Sequence, residues 1–168
     1  MTTPTPEHDA LDVARLKAVM GHFATGVTIV AGMDGDEPHG FTAQSFHSLS
    51  MDPPLVLVCP GKSVASWPHI RTGGKFCVSI LGREQEAACM AFASKTADKF
   101  GATSWRPSPI TQSPMIEGSL AWIDCELHAE HDGGDHTVVI GRVLDVEINE
   151  TEQQPLLFYR AGFGRFES

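Results

Sequence analysis

The sequence predicts a mainly β domain, a closed antiparallel barrel with peripheral α-helices. Three observations lead there. Six or seven β-rich runs stand beside three helical ones, and the two kinds do not alternate as a doubly wound parallel sheet requires. Two long runs, Leu120–Leu127 and Thr137–Ile148, flank the turn Asp132-Gly133-Gly134-Asp135, which makes them a hairpin. The chain has 168 residues, 42% hydrophobic and 20% charged, which fits one globular domain.

Residues 1–10 are polar, contain two prolines and are read as a flexible tail. The domain is expected to span 11–168. Val13, Leu16, Met20 and Phe23 recur at helical spacing, with Asp9 or Asp12 as cap, so a helix is expected over about 11–23. Thr25–Met33 is a β-rich run that ends in the turn Asp34-Gly35-Asp36-Glu37-Pro38. His39–Ser50 is extended again but rich in hydroxyls. After Asp52-Pro53-Pro54, the apolar run Leu55–Cys59 reads as a strand buried on both faces.

A helix is expected from Ser63 to about Arg71, a strand over Lys75–Leu81 and an Ala-rich helix over Glu84–Ser94. Residues 101–115 hold three prolines and read as a long surface loop. In Leu120–Leu127, Ala121, Ile123, Cys125 and Leu127 share one face and Trp122, Asp124 and Glu126 the other, the pattern of a half-buried strand. Pro155–Arg160 is the last strand.

A formal net charge of −9 gives no general attraction to nucleic acid or anionic membranes. No apolar run approaches the ~20 residues of a membrane span, and no secretory signal is visible at the start. Cys59, Cys77, Cys89 and Cys125 form no CxxC pair. They read as free thiols in a reducing cytoplasm.

Three segments hold candidate chemistry. In the first, Thr42, Gln44, Ser45, Ser48 and Ser50 place five amide or hydroxyl side chains in nine residues. Such a strand either faces a polar planar ligand or is an edge strand with a wet face. In the second, Cys59-Pro60-Gly61-Lys62-Ser63-Val64-Ala65-Ser66-Trp67, a strand turns into a helix start. Free amides, the helix dipole, Lys62 and two hydroxyls suit a phosphate; the alternative is that Ser63 only caps its helix. It lacks the glycine spacing of a Walker loop. In the third, the turn Gly133-Gly134-Asp135-His136 sets a histidine beside a carboxylate, either held toward a ligand or simply on the surface.

His128, His131, Asp132 and His136 are close in sequence. Strand alternation scatters them over both faces, so no metal is expected. G-x-S-x-G and G-x-G-x-x-G motifs are absent, and no cysteine has an electropositive setting. Asp98-Lys99-Phe100 adds a basic group beside an aromatic ring, or else a frayed helix end.

Taken together, these stretches resemble the flavin reductase-like family, the NAD(P)H:flavin oxidoreductase components of two-component monooxygenases. The resemblance rests on Met20–Val30, Gly40–Phe46, Ser48–Val56, Phe76–Leu81, Asp98-Lys99-Phe100, Gly134-Asp135-His136 with Gly141, and Pro155–Arg160, in that order. Trp105-Arg106-Pro107-Ser108 and the 132–136 turn look most like the branch paired with aromatic and steroid-ring hydroxylases.

The resemblance implies an FMN-binding split barrel, a homodimer, bound FMN or FAD, and NADH or NADPH as reductant. By motif, Thr42, Ala43, Gln44 and Ser45 would line the edge of the flavin ring, with Ser48 and Ser50 nearby. Lys62, Ser63, Ser66 and Trp67 would hold its phosphate and ribityl chain, with Cys59 and Pro60 also in the flavin site and Lys99 and Phe100 nearby. His136, Tyr159 and Arg160 would lie on the nicotinamide side. Gln44 stands where many members carry Asn, one methylene shorter. The implied function is reduction of flavin for a partner monooxygenase. The alternative is a flavin carrier or sensor without reductase activity.

Overall fold

A computed structural model describes residues 12–95, 98–149 and 152–164. The expected tail lies outside them. Helix α1, Val13–Met20, is capped by the Asp12 carboxylate, which accepts from Ala14 N. It is shorter than the expected 11–23 helix. Strands follow at Thr25–Gly26 (β1), Thr28–Asp34 (β2), Glu37–Ala43 (β3), His47–Met51 (β4) and Pro54–Val58 (β5). Helix α2, Ser66–Gly73, precedes β6, Lys75–Ile80. A 3-10 turn at Arg83–Gln85 leads into α3, Glu86–Ala93. Then come β7 (Trp105–Pro107), β8 (Pro114–Ile116), β9 (Ala121–Gly133), β10 (His136–Ile148), β11 (Leu157–Tyr159) and β12 (Gly162–Gly164).

The main sheet has seven antiparallel strands in the order β3-β2-β6-β9-β10-β5-β4. Among the described residues no ladder joins its edges, β3 and β4, and the architecture is mainly β with three helices. Strand β2 divides the interior. Val30 faces one core with Phe41, Val58, Trp67, Phe76 and Val139; Val27, Ile29 and Ala31 face a second with Leu81, Phe92, Ile116 and Leu156. The period of two in side-chain direction lets β2, with Val27 just before it, supply both cores.

Several expectations are corrected by packing. Trp122 and Asp124 are buried, although the alternation assigned them to a wet face. The segment expected to be a surface loop covers that face. It contains the paired strands β7 and β8, Met115 packs with Trp122, and the amides of Ile110 and Thr111 donate to Asp124 Oδ2 at 3.1 and 2.9 Å. Strand β5 buries Val56 and Val58 but leaves Leu55 and Leu57 partly exposed. The run His39–Ser50 breaks at residues 44–46, and the last strand is followed by a partner, β12.

Candidate functional site

Three chain segments converge at one mouth of the sheet. The first is the end of β3 and the residues after it. Thr42 points away from the first core and donates from Oγ1 to Cys89 O at 2.6 Å, which ties β3 to α3. Ser45 Oγ accepts from Cys59 N at 2.9 Å and donates to Cys59 O at 3.2 Å. This reciprocal clamp fixes the break after β3 against the end of β5.

The second segment is the turn 59–65. Pro60 is buried, and the Thr137 amide donates to its carbonyl at 2.9 Å. The Lys62 amide donates to Asp135 O at 2.9 Å. The helix after this turn begins at Ser66, not at Ser63, and Ala65 at its cap supplies no side-chain hydrogen bond. Ser63 is therefore not the cap; it lies exposed in the turn. Ser66 is committed inward, its Oγ donating to Gly40 O at 2.8 Å.

The third segment is the tip of the β9–β10 hairpin. Gly133 pairs with His136, so the loop has two residues, and Gly134 has a φ of 78°. Glycine tolerates that left-handed position in a tight hairpin turn. His136 Nδ1 lies 2.7 Å from Asp135 Oδ1. Hydrogen bonding to His136 holds the Asp135 carboxyl below its usual range, and Lys62 does the same for Asp132.

The three segments enclose a cleft of about 670 Å³ lined by Thr42, Ala43, Gln44, Ser45, Cys59, Pro60, Lys62, Ser63 and His136, among others. Nine of the residues named from sequence thus meet in one place. A second cavity, about 550 Å³, shares Phe41, Thr42, Ser63, Val64 and Ala93 with it and adds Ser66, Lys95, Lys99 and Phe100. Lys99 Nζ donates to the carbonyls of Gly40 and Phe92 at 3.0 and 3.1 Å. It has no carboxylate partner among the described residues. Burial lowers its pKa. A half-buried ammonium without a counter-ion is an anion site in waiting.

Other expected residues lie elsewhere. Trp67 is a core residue whose Nε1 donates to Glu130 Oε1 at 2.9 Å. Ser48 and Ser50 sit on β4 and line neither cavity. Tyr159 packs edge-on against His22, and the Arg160 amide donates to Gly21 O. Sequence reasoning missed Ala93 and Lys95, which only the fold of α3 beside β3 brings to the cavities.

Both cavities fall within the roughly 300–1,000 Å³ of small-molecule sites. Together they offer a strand end rich in amide and hydroxyl groups and a cationic annex, a donor set suited to a phosphorylated heteroaromatic ligand. The chain belongs to the flavin reductase like domain family, which residues 20–167 match. It is 48% identical over 160 residues to the reductase subunit HsaB of a flavin-dependent monooxygenase from Rhodococcus jostii, covering 95% of this chain and 80% of that one. It is 46% identical over 158 residues to a flavin reductase of Pseudomonas putida, covering 94% and 92%.

Among solved structures, it superposes with a TM-score of 0.89 on a nitrilotriacetate monooxygenase component B homologue from Mycobacterium thermoresistibile, at 47% identity over 92% of this chain and 86% of that one. The NADH:FAD oxidoreductase of Streptomyces globisporus, in complex with NAD and FAD fragments, gives 0.87 at 37% identity over 93% of each chain.

Proposed function

We propose that this protein is an NAD(P)H:flavin oxidoreductase that supplies reduced flavin to a partner monooxygenase. The observation that carries the reading is the joined pair of cavities, polar strand end on one side and Lys99 on the other. The isoalloxazine ring is assigned to the cleft between Thr42–Ser45 and His136, and the phosphate to the side of Lys62, Ser63 and Lys99. The annex beyond Ser66 leaves room for a second nucleotide half, which favours FAD. The relative from Streptomyces globisporus named an NADH-dependent FAD reductase supports the pair FAD and NADH.

When both cofactors are bound, a hydride passes from C4 of the dihydronicotinamide to N5 of the flavin. No side-chain nucleophile is required. The chain's task is position. The Ser45–Cys59 clamp holds the strand end rigid, and the Thr137–Pro60 hydrogen bond fixes the distance between hairpin tip and turn. His136, anchored by Asp135, borders the face where the nicotinamide must stack. Trp67, Ser48, Ser50, Tyr159 and Arg160 are left out of the proposed cleft.

The active unit is a homodimer. Helix α1 buries no residue within the chain, and Val13, Val19 and Met20 are each more than 60% exposed. Leu49, Met51, Val146 and Ile148 are exposed as well. An eight-residue helix without packing partners is not stable in water, so a second copy is assigned to cover it. The four free cysteines support a reducing compartment, and we assign the protein to the cytoplasm on that basis. No helix among the described residues is long and apolar enough to cross a membrane.

The test is to follow dihydronicotinamide absorbance with NADH or NADPH and free FMN or FAD. Turnover that depends on added flavin supports the reading. Flavin binding without NAD(P)H oxidation would make the protein a carrier or sensor instead.

A further inference from the structure

The β2–β3 hairpin and α2 bring three metal-ligating side chains together. Asp34 ends β2, His39 lies on β3 and His69 on α2. Each offers one ligand atom, and these atoms lie within 4.8 Å of one another. His69 Nδ1 is 2.8 Å from Asp34 Oδ2. The rings of His39 and His69 are stacked, with centroids 4.1 Å apart and planes 5° from parallel. Glu37 Oε2 is 3.9 Å from His39 Nε2. That nitrogen is buried and has no hydrogen-bond partner among the described residues, an expensive state for a polar atom.

We propose that Asp34, His39 and His69 form a binding site for a divalent transition-metal ion of the zinc class, with Glu37 within reach as a fourth ligand. Two imidazole nitrogens and a carboxylate oxygen form a borderline donor set, suited to Zn²⁺ or Co²⁺ rather than to Mg²⁺ or Ca²⁺. The carriers are rigid. A Cβ on Gly32, which pairs with His39, would lie 3.0 Å from Ile70 of α2, and one on Gly73 would clash with Met33 O. Helix and hairpin are therefore pressed together at the site.

Ligand bonds of about 2.0–2.2 Å set tetrahedral ligand atoms roughly 3.3 Å apart. The His69–Asp34 pair must open by about half an ångström to admit the ion. Both side chains have solvent on one side, which permits this. The rings must tilt out of their stack, exchanging one orphaned nitrogen and one hydrogen bond for coordinate bonds. The ion would cross-link the hairpin to α2, which also supplies Ser66 to the basic cavity.

The test uses the full chain, stripped by a chelator, with Zn²⁺ followed by calorimetry and Co²⁺ by visible absorption. One Zn²⁺ per chain, a tetrahedral Co²⁺ spectrum and a rise in unfolding temperature with Zn²⁺ are expected. His39→Ala and His69→Ala should each weaken Zn²⁺ binding by more than about tenfold, the lower bound seen even for groups behind the ligands. Asp34→Asn keeps both rings and the side-chain size, and should weaken binding while the circular dichroism is unchanged. Absence of binding to the parent chain overturns the proposal. Unchanged affinity in folded Asp34→Asn, or in the double histidine variant, overturns it too, by placing the ion elsewhere. None of these readouts depends on flavin reduction.

Discussion

Lys62 Nζ stands 2.5 Å from Asp132 Oδ1, joining the turn after β5 to the β9–β10 hairpin tip. The charge assigned to the flavin phosphate is thus already paired in the free chain. Asp132→Asn should release it. FMN and FAD should bind a few-fold more tightly, while riboflavin, which lacks a phosphate, should be unchanged. Added salt should shrink the difference, because the pair is exposed. Fluorescence titration of the three flavins measures this. Equal tightening for riboflavin would remove Lys62 from phosphate binding.

Lys99 gives a pH dependence. Burial lowers its pKa, so the ammonium loses its proton at a lower pH than an ordinary lysine. The preference for FMN over riboflavin should fall as pH rises through that depressed value. Lys99→Arg should keep it at alkaline pH, and Lys99→Met should lack it throughout. The linkage has its own sign: between the depressed and the ordinary pKa the unfolded chain binds more protons, so stability rises with pH there.

His136 is expected to position the nicotinamide. His136→Ala should raise KM for NADH by more than it changes flavin affinity. Steady-state kinetics and flavin titration separate the two, and equal loss of both would contradict the assignment.

Asp124 is expected to matter for stability alone. It is fully buried and accepts from the Ile110 and Thr111 amides and from Thr111 Oγ1. Asp124→Ala leaves the buried Thr111 amide and the part-buried Ile110 amide without their acceptor and should cost about 2 kcal/mol. Denaturant unfolding measures it. Residual activity per folded molecule should match the parent chain.

Asp124 also shows where the sequence was misleading. Strict alternation marked it and Trp122 as solvent-facing, since periodicity cannot see a distant segment folding over a strand. The proline-rich stretch that covers them reads as a loop for the same reason. Thr42, Gln44, Ser45, Lys62, Ser63 and His136 were legible, because local crowding of polar groups, a strand-to-turn junction and a glycine hairpin each leave a short-range mark. Lys95 and Ala93 left none. Nor did the Asp34, His39 and His69 cluster, whose members stand up to 35 positions apart and meet only through the packing of α2 on the hairpin. The burial of Trp67 is hidden in the sequence, because a residue beside a polar turn can still point inward once the helix begins at Ser66 rather than Ser63.

The β9–β10 ladder runs unbroken in pairing direction from the core to the cleft, with register shifts between Ile140 and Gly141 and between Val143 and Asp145. It therefore works as a ruler. One residue added or deleted between those irregularities and the tip would turn His136 to the opposite side of the sheet and separate it from the 59–65 turn. Tolerance to length change should be low along this arm, even at its solvent-exposed positions.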